Sequence, residues 1–183
     1  MLSAAVTGHT RGIGFALSKC LSDAGYDVRG YSRSNGYTLP EKSQLVVHSA
    51  KHADVFVNNA YSGMAQCDLF NAVYKLWKND SSKTIVNIIS MSKFLRSHTE
   101  PKIYSAEKAG LELVSKQALL NPDRKCRIIN INPGYVRTDM IKHLHDQHNM
   151  LTAEQLAEAI TWCITQPQGV EVGELSIWAT TLN

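Results

Sequence analysis

The feature that most constrains this chain is an alternation. Short strand-like runs recur along it, and stretches with helical periodicity separate them. Strands are predicted over Leu2–Val6, Tyr26–Ser32, Asp54–Ala60, Thr84–Ser90, Cys126–Asn132 and Glu174–Ala179, with room for a short additional strand between Asn35 and Leu39. Helices are predicted over Phe15–Ala24, Glu41–Lys51 (begun by Pro40), Gln66–Lys78, Pro101–Leu120 and Thr152–Gln166. Thr152 followed by Gln155 is a capping box, and Pro167 stops the helix that it starts. Such an order predicts an α/β fold, a mostly parallel sheet covered by helices on both faces in three layers. The 183 residues, 44% hydrophobic and 19% charged, suffice for one core and are few for two, so a single domain over residues 1–183 is expected.

Composition excludes several classes. A net charge of +3 with no basic stripe among aromatics gives no reason to expect a nucleic-acid partner. Cys20, Cys67, Cys126 and Cys163 lie far apart, which suggests neither a disulfide frame nor a zinc knuckle and suits a reducing cytoplasm. No basic-then-apolar leader or long apolar span is present, so a cytoplasmic protein without a membrane partner is expected.

The chemistry gathers where strands end. Between the first strand and helix lies T-G-H-T-R-G-I-G, Thr7 to Gly14. Glycines there allow a sharp turn and let a pyrophosphate approach the free N–H groups of a helix start, although a plain strand–helix connection uses glycines too. A dinucleotide fold places a ribose-binding acid about 20 residues further on. No Asp or Glu occurs between Val28 and Pro40; Ser32 and Arg33 stand there, and Arg11 sits inside the glycine turn. Two guanidinium groups and a hydroxyl suit a 2′-phosphate, which favours NADP over NAD, the alternative being two solvated surface arginines. Asn58 and Asn59 give the third long strand a polar carboxyl end, and Ser90 ends the fourth at the same edge, with Ser92 as its rival in the loop beyond.

Tyr104 and Lys108 are four apart on a predicted helix, hence on one face. A tyrosine hydroxyl titrates near ~10, and bringing it to ~7 needs about 4 kcal/mol of differential stabilisation. A neighbouring ammonium, a bound cationic nicotinamide and a serine hydrogen bond are able to share that load.

The set T-G-H-T-R-G-I-G, V-N-N-A-Y, V-N-I-I-S, Y-S-A-E-K and N-P-G-Y-V-R-T, in this order, resembles the short-chain dehydrogenases/reductases, from about Leu2 to Ala179. The resemblance implies a Rossmann-type, doubly wound sheet with the cofactor NADP (NADPH) on the turn formed by Gly8, Thr10, Arg11, Gly12, Ile13 and Gly14. Asn58, Asn59 and Ala60 would lie beneath the cofactor, with Asn58 steadying the sheet edge, and Pro133, Gly134, Val136 and Thr138 would hold its carboxamide and phosphate side. In the catalytic set it implies, Ser90 polarises a carbonyl, Tyr104 exchanges the proton, and Lys108 holds the nicotinamide ribose and lowers the tyrosine pKa. The expected activity interconverts a carbonyl and an alcohol of a small molecule. The alternative is a noncatalytic NADP-binding regulatory protein, which needs the glycine turn but no proton donor.

The chain also departs from this pattern. The stretch from Ala60 to Asn87 is short, and in its helix no asparagine sits in the context where the family's holds a proton-relay water; either Gln66 or Asn71 substitutes or the relay is absent. Tyr61 replaces the glycine of Asn-Asn-Ala-Gly. The short helix also puts the family's tetramer in doubt, leaving a homo-oligomer open. In the resemblance the segment 138–152 corresponds to a lid over the substrate pocket. Its His143, His145 and His148, near Asp139 and Asp146, lie in a polar loop and are read as lid rather than metal ligands. Met140, Leu144, Met150 and Leu151 either face the substrate or pack the lid.

Overall fold

A computed structural model of the chain describes residues 1–94, 102–142 and 149–180. Its strands are β1 (Ser3–Thr7), β2 (Asp27–Tyr31), β3 (Val55–Asn58), β4 (Thr84–Ile88), β5 (Arg127–Pro133) and β6 (Glu174–Ile177). Between them run the helices α1 (Gly12–Asp23), α2 (Ser43–Ala50), α3 (Ala65–Trp77), α4 (Ile103–Leu119) and α5 (Ala153–Ile164). All six strands are parallel, in the order β2-β1-β3-β4-β5-β6. The chain steps outward from β1 to β2, then crosses back to β3 on the other side of β1. This reversal leaves a crevice at the carboxyl ends of β1 and β3, the place where open α/β sheets bind ligands.

Alternation along the strands builds two cores. Val55 and Val57 of β3 with Val86 and Ile88 of β4 face α1 and α5, while Phe56 and Ile85 face α2, α3 and α4. Each strand side chain thus finds a helix, and this three-layer arrangement accounts for the near-continuous apolar runs of the central strands. The capping box of α5 forms as the sequence predicts: Thr152 Oγ1 accepts from the Gln155 N–H at 3.1 Å and Gln155 Oε1 accepts from the Thr152 N–H at 2.9 Å. No described helix is long and apolar enough to cross a membrane.

The expected strand between Asn35 and Leu39 does not form. Arg33–Asn35 is instead a single 3₁₀ turn, and Gly36, at φ 90°, closes it. The Asn35 side chain is the physical reason. It accepts from the Ser32 N–H at 2.8 Å and donates to the Gly30 carbonyl at 2.9 Å, offering the backbone a local partner in place of a ladder. Tyr37 then packs edge-on against Tyr31, ring centroids 4.9 Å apart, and β2 is left as the edge of the sheet.

Candidate functional site

The glycine turn is built by close approach. Gly8 sits at φ 72°, and a Cβ on Gly14 would lie 2.2 Å from the Gly8 carbonyl oxygen, so side chains are excluded at both positions. Thr7 stitches this turn to β3. Its hydroxyl accepts from the Asn59 and Ala60 N–H groups at 2.9 and 3.0 Å and donates to the Val57 carbonyl at 3.1 Å. The Asn59 amide donates to the Thr7 carbonyl at 2.9 Å, so it props the turn from below. The Gly8 N–H reaches the Tyr31 carbonyl at 2.7 Å, tying in the end of β2.

The start of α1 fits an anion. Arg11, its N-cap residue, makes no side-chain cap and the first turn holds no acid, so neither cap nor first-turn acid among the described residues competes for its N–H groups. Thr10 and Arg11 are exposed beside it, and Ile13 packs against the core. A cleft of about 330 Å³ opens there, lined by Gly12, Phe15, Arg137, Thr138, Thr152 and Glu154. Thr138 lies against Gly12, its Cγ2 3.1 Å from where a Cβ would stand. Pro133 ends β5, and the Gly134 N–H donates to the Ile177 carbonyl at 2.8 Å. Val136 bridges to Leu151, which pins the base of the 138–152 segment. Met150 and Leu151 are buried in that base, and Met140 is exposed. Packing therefore accounts for the first two. His143, Leu144, His145, Asp146 and His148 lie outside the described residues.

At the end of β2, Arg33 is exposed but Ser32 is buried, its hydroxyl within 2.8 Å of Ser34 Oγ and donating to Asn35 Oδ1 at 3.2 Å. Ser32 is thus already engaged by its own turn. His9, which sequence reasoning passed over, lies across Gly30; a Cβ there would sit 2.1 Å from the imidazole.

Beyond β4, three predicted side chains meet. The Ser90 hydroxyl hydrogen-bonds the Tyr104 phenol, and it also accepts from the Ser92 N–H at 3.1 Å. The Ser92 hydroxyl is buried with no partner among the described residues. Lys108 is 3% exposed, and its Nζ donates to Gln66 Oε1 at 2.6 Å and to the Ile88 carbonyl at 2.7 Å. It stands 5.7 Å from the ring centroids of both Tyr104 and Tyr61, within cation–π range. Tyr61 meets Tyr104 edge-on at 4.9 Å and donates to Glu107 at 2.5 Å. That bond, ahead of burial, pushes the Tyr61 hydroxyl up to about 12.

The electrostatics run against the expectation that Lys108 lowers the tyrosine. Burial raises Tyr104 above the usual tyrosine range, and only the Ser90 hydrogen bond pulls it back. Lys108 itself is pushed down to about 7, because burial penalises its charged form more than Cys67 and Glu107 favour it. The protein's own groups thus soften the lysine rather than the tyrosine.

Of the two candidate relay residues, Asn71 is exposed on the α2-facing side of α3, whereas Gln66 is buried against Lys108. Gln66 shares the apolar stripe of α3 with Leu69, Phe70, Val73 and Trp77. A polar residue on such a stripe was the available signal.

A family model for short chain dehydrogenases matches residues 57–149, half of the chain. The chain belongs to this family. Among curated relatives, it is 24% identical to an uncharacterized oxidoreductase of Staphylococcus epidermidis over 95% of each chain. It is 25% identical to a farnesol dehydrogenase of Aedes aegypti, over 95% of this chain and 94% of that one. In three dimensions it superimposes on a short chain dehydrogenase from Burkholderia cenocepacia, solved in complex with NADP, with a TM-score of 0.79 at 19% identity. That match covers 97% of this chain and 88% of the other. The short chain dehydrogenase fold is therefore present nearly end to end, with one sheet strand fewer than its sequence led us to expect.

Proposed function

We propose that this protein is an NADP(H)-dependent oxidoreductase that interconverts a carbonyl and an alcohol on a small molecule through Ser90, Tyr104 and Lys108. The observation that carries the reading is the meeting of Ser90 with Tyr104 beyond the carboxyl end of β4, with a buried Lys108 amine 5.7 Å from the Tyr104 ring. The nicotinamide, when bound, supplies or accepts the hydride. Ser90 donates a hydrogen bond to the substrate oxygen, and the Tyr104 hydroxyl gives that oxygen its proton in reduction or takes one as tyrosinate in oxidation. Burial keeps Tyr104 protonated, which suits the reductive direction at neutral pH. Lys108 holds the ribose side of the cofactor.

For the cofactor, the residues that fit are Gly8, Gly12 and Gly14 with the uncapped start of α1 for the pyrophosphate, and Arg11 and Arg33 for a 2′-phosphate. The absence of any acid between Val28 and Pro40 and the NADP held by the Burkholderia relative both support NADP over NAD. Asn58, Asn59, Ala60, Pro133, Gly134, Val136 and Thr138 complete the cofactor floor and wall. The test is a panel of small aldehydes, ketones and alcohols, following NADPH consumption or NADP reduction. Turnover of any one supports the reading; tight NADPH binding with no turnover across the panel favours a noncatalytic dinucleotide-binding protein.

A further inference from the structure

Lys108 is buried, 3% exposed, and a run of buried side-chain amides leads away from its amine. Gln66 accepts from its Nζ at 2.6 Å, and the orientation of that amide is fixed. Gln66 Nε2 donates to the Asn58 carbonyl at 2.9 Å, so Oε1 is the end turned to the lysine. Asn58 returns the bond, donating to the Gln66 carbonyl at 2.8 Å, and spends its second N–H on Asn87 Oδ1 at 3.2 Å. Asn87 donates in turn to Asn130 Oδ1 at 3.1 Å. These three asparagines are register neighbours on β3, β4 and β5 and are fully buried. A flipped Gln66 amide would set two donors against Lys108 and place an oxygen against the Asn58 carbonyl, so the ladder enforces one polarity.

We propose that Gln66 is a positioning residue for the reaction: its ladder-locked carbonyl oxygen, with the Ile88 carbonyl, holds the Lys108 amine at the floor of the site and governs whether that amine carries its proton. This rests on the assignment of Lys108 to the catalytic set. Two fixed acceptors match the two N–H bonds of a neutral amine and leave the third proton of an ammonium free to come and go. The groups that face Lys108 are few. Cys67 comes from α3, Glu107 and Tyr104 from α4, and Tyr61 from the loop after β3, while β4 offers only its backbone carbonyl. Glu107 is itself engaged by Tyr61, so no carboxylate is bonded to the amine among the described residues. With so little opposing charge, the Gln66 oxygen at 2.6 Å makes the shorter of the two described hydrogen bonds to the amine, the Ile88 carbonyl lying at 2.7 Å, and burial holds the lysine down at about 7.

The test reads Lys108 directly, by ¹⁵N–lysine NMR titration of the Nζ signal in protein with no added cofactor or carbonyl, with Lys108→Met identifying the resonance. In Gln66→Glu a carboxylate replaces the amide at the same reach, and the Lys108 midpoint should rise by about 1–3 units. In Gln66→Met the acceptor is lost without loss of volume, and the midpoint should fall further below the parent's. Should Gln66→Met fail to fold, the rise in Gln66→Glu alone supports the proposal. If both variants fold and titrate Lys108 within about 0.3 unit of the parent, well inside the shift a bonded charge produces, Gln66 is packing alone and the proposal is overturned. A parent that turns over no carbonyl yet shows these shifts would defeat the oxidoreductase reading and leave the hold of Gln66 on Lys108 standing.

Discussion

Replacing Lys108 with methionine should change how stability depends on pH more than it changes stability at any one pH. In the fold Lys108 titrates at about 7, against an ordinary 10.5. The folded-state value is depressed, so between these two limits the unfolded chain binds more protons than the folded one, and stability rises with pH across that window. Below it the folded protein carries the full cost of a buried ammonium, on the order of 5 kcal/mol at 1.36 kcal/mol per unit. Methionine removes the titration and leaves the Gln66 and Ile88 oxygens without their donor, at about 1–3 kcal/mol each and independent of pH. At about pH 6 these effects nearly cancel, and the variant should match the parent within roughly 3 kcal/mol in either direction. By about pH 9.5 the parent should have gained about 3 kcal/mol on the variant. Urea unfolding of both proteins across this range reads the difference directly. Parallel stability curves would refute the reasoning, because they would mean that Lys108 keeps its proton in the fold as it does in water.

Three further outcomes are expected. Arg33→Asp should weaken NADPH binding relative to NADH by about 1.5–3 kcal/mol, the worth of one charge-assisted contact, and calorimetry that finds equal affinities for the two cofactors in the parent would remove the basis for this. Ser90→Ala should lose turnover while Ser92→Ala keeps it, because Ser90 is the hydroxyl bonded to Tyr104; the reverse order in steady-state rates would exchange their roles. Thr152→Ala should lower unfolding free energy by about 1 kcal/mol through loss of the α5 cap, and an unchanged melting curve would show that the capping box contributes nothing.

Much of this arrangement was legible because it depends on local pattern. The apolar runs fixed the central strands, and Thr152 with Gln155 marked the start of α5 to the residue. Ser90, Tyr104 and Lys108 stood out because strand ends and a four-residue helical spacing bring them to one edge. What escaped was set by side-chain competition and tertiary pairing. The strand expected after Asn35 gave way to a turn because one asparagine amide bonds back to Ser32 and Gly30, a choice that composition does not reveal. The role of Thr7 depends on β3 arriving beside β1, and that of Gln66 on α3 and α4 packing together. Each left a trace all the same, a polar residue at the end or on the stripe of an otherwise apolar element. The direction of the Lys108 shift was the least legible, since spacing shows that a lysine is near a tyrosine and burial decides which of the two is softened.

The most direct test of the central claim is the steady-state rate of Tyr104→Phe beside the parent on a carbonyl that the parent reduces, with NADPH affinity measured on both. General acid catalysis is worth about 10²–10⁴-fold, so the variant should lose about that much turnover while binding NADPH as the parent does, because in the proposed mechanism the missing hydroxyl, beside Ser90, serves the substrate oxygen rather than the cofactor. A Tyr104→Phe protein that reduces the same carbonyl at the parent's rate would contradict the account.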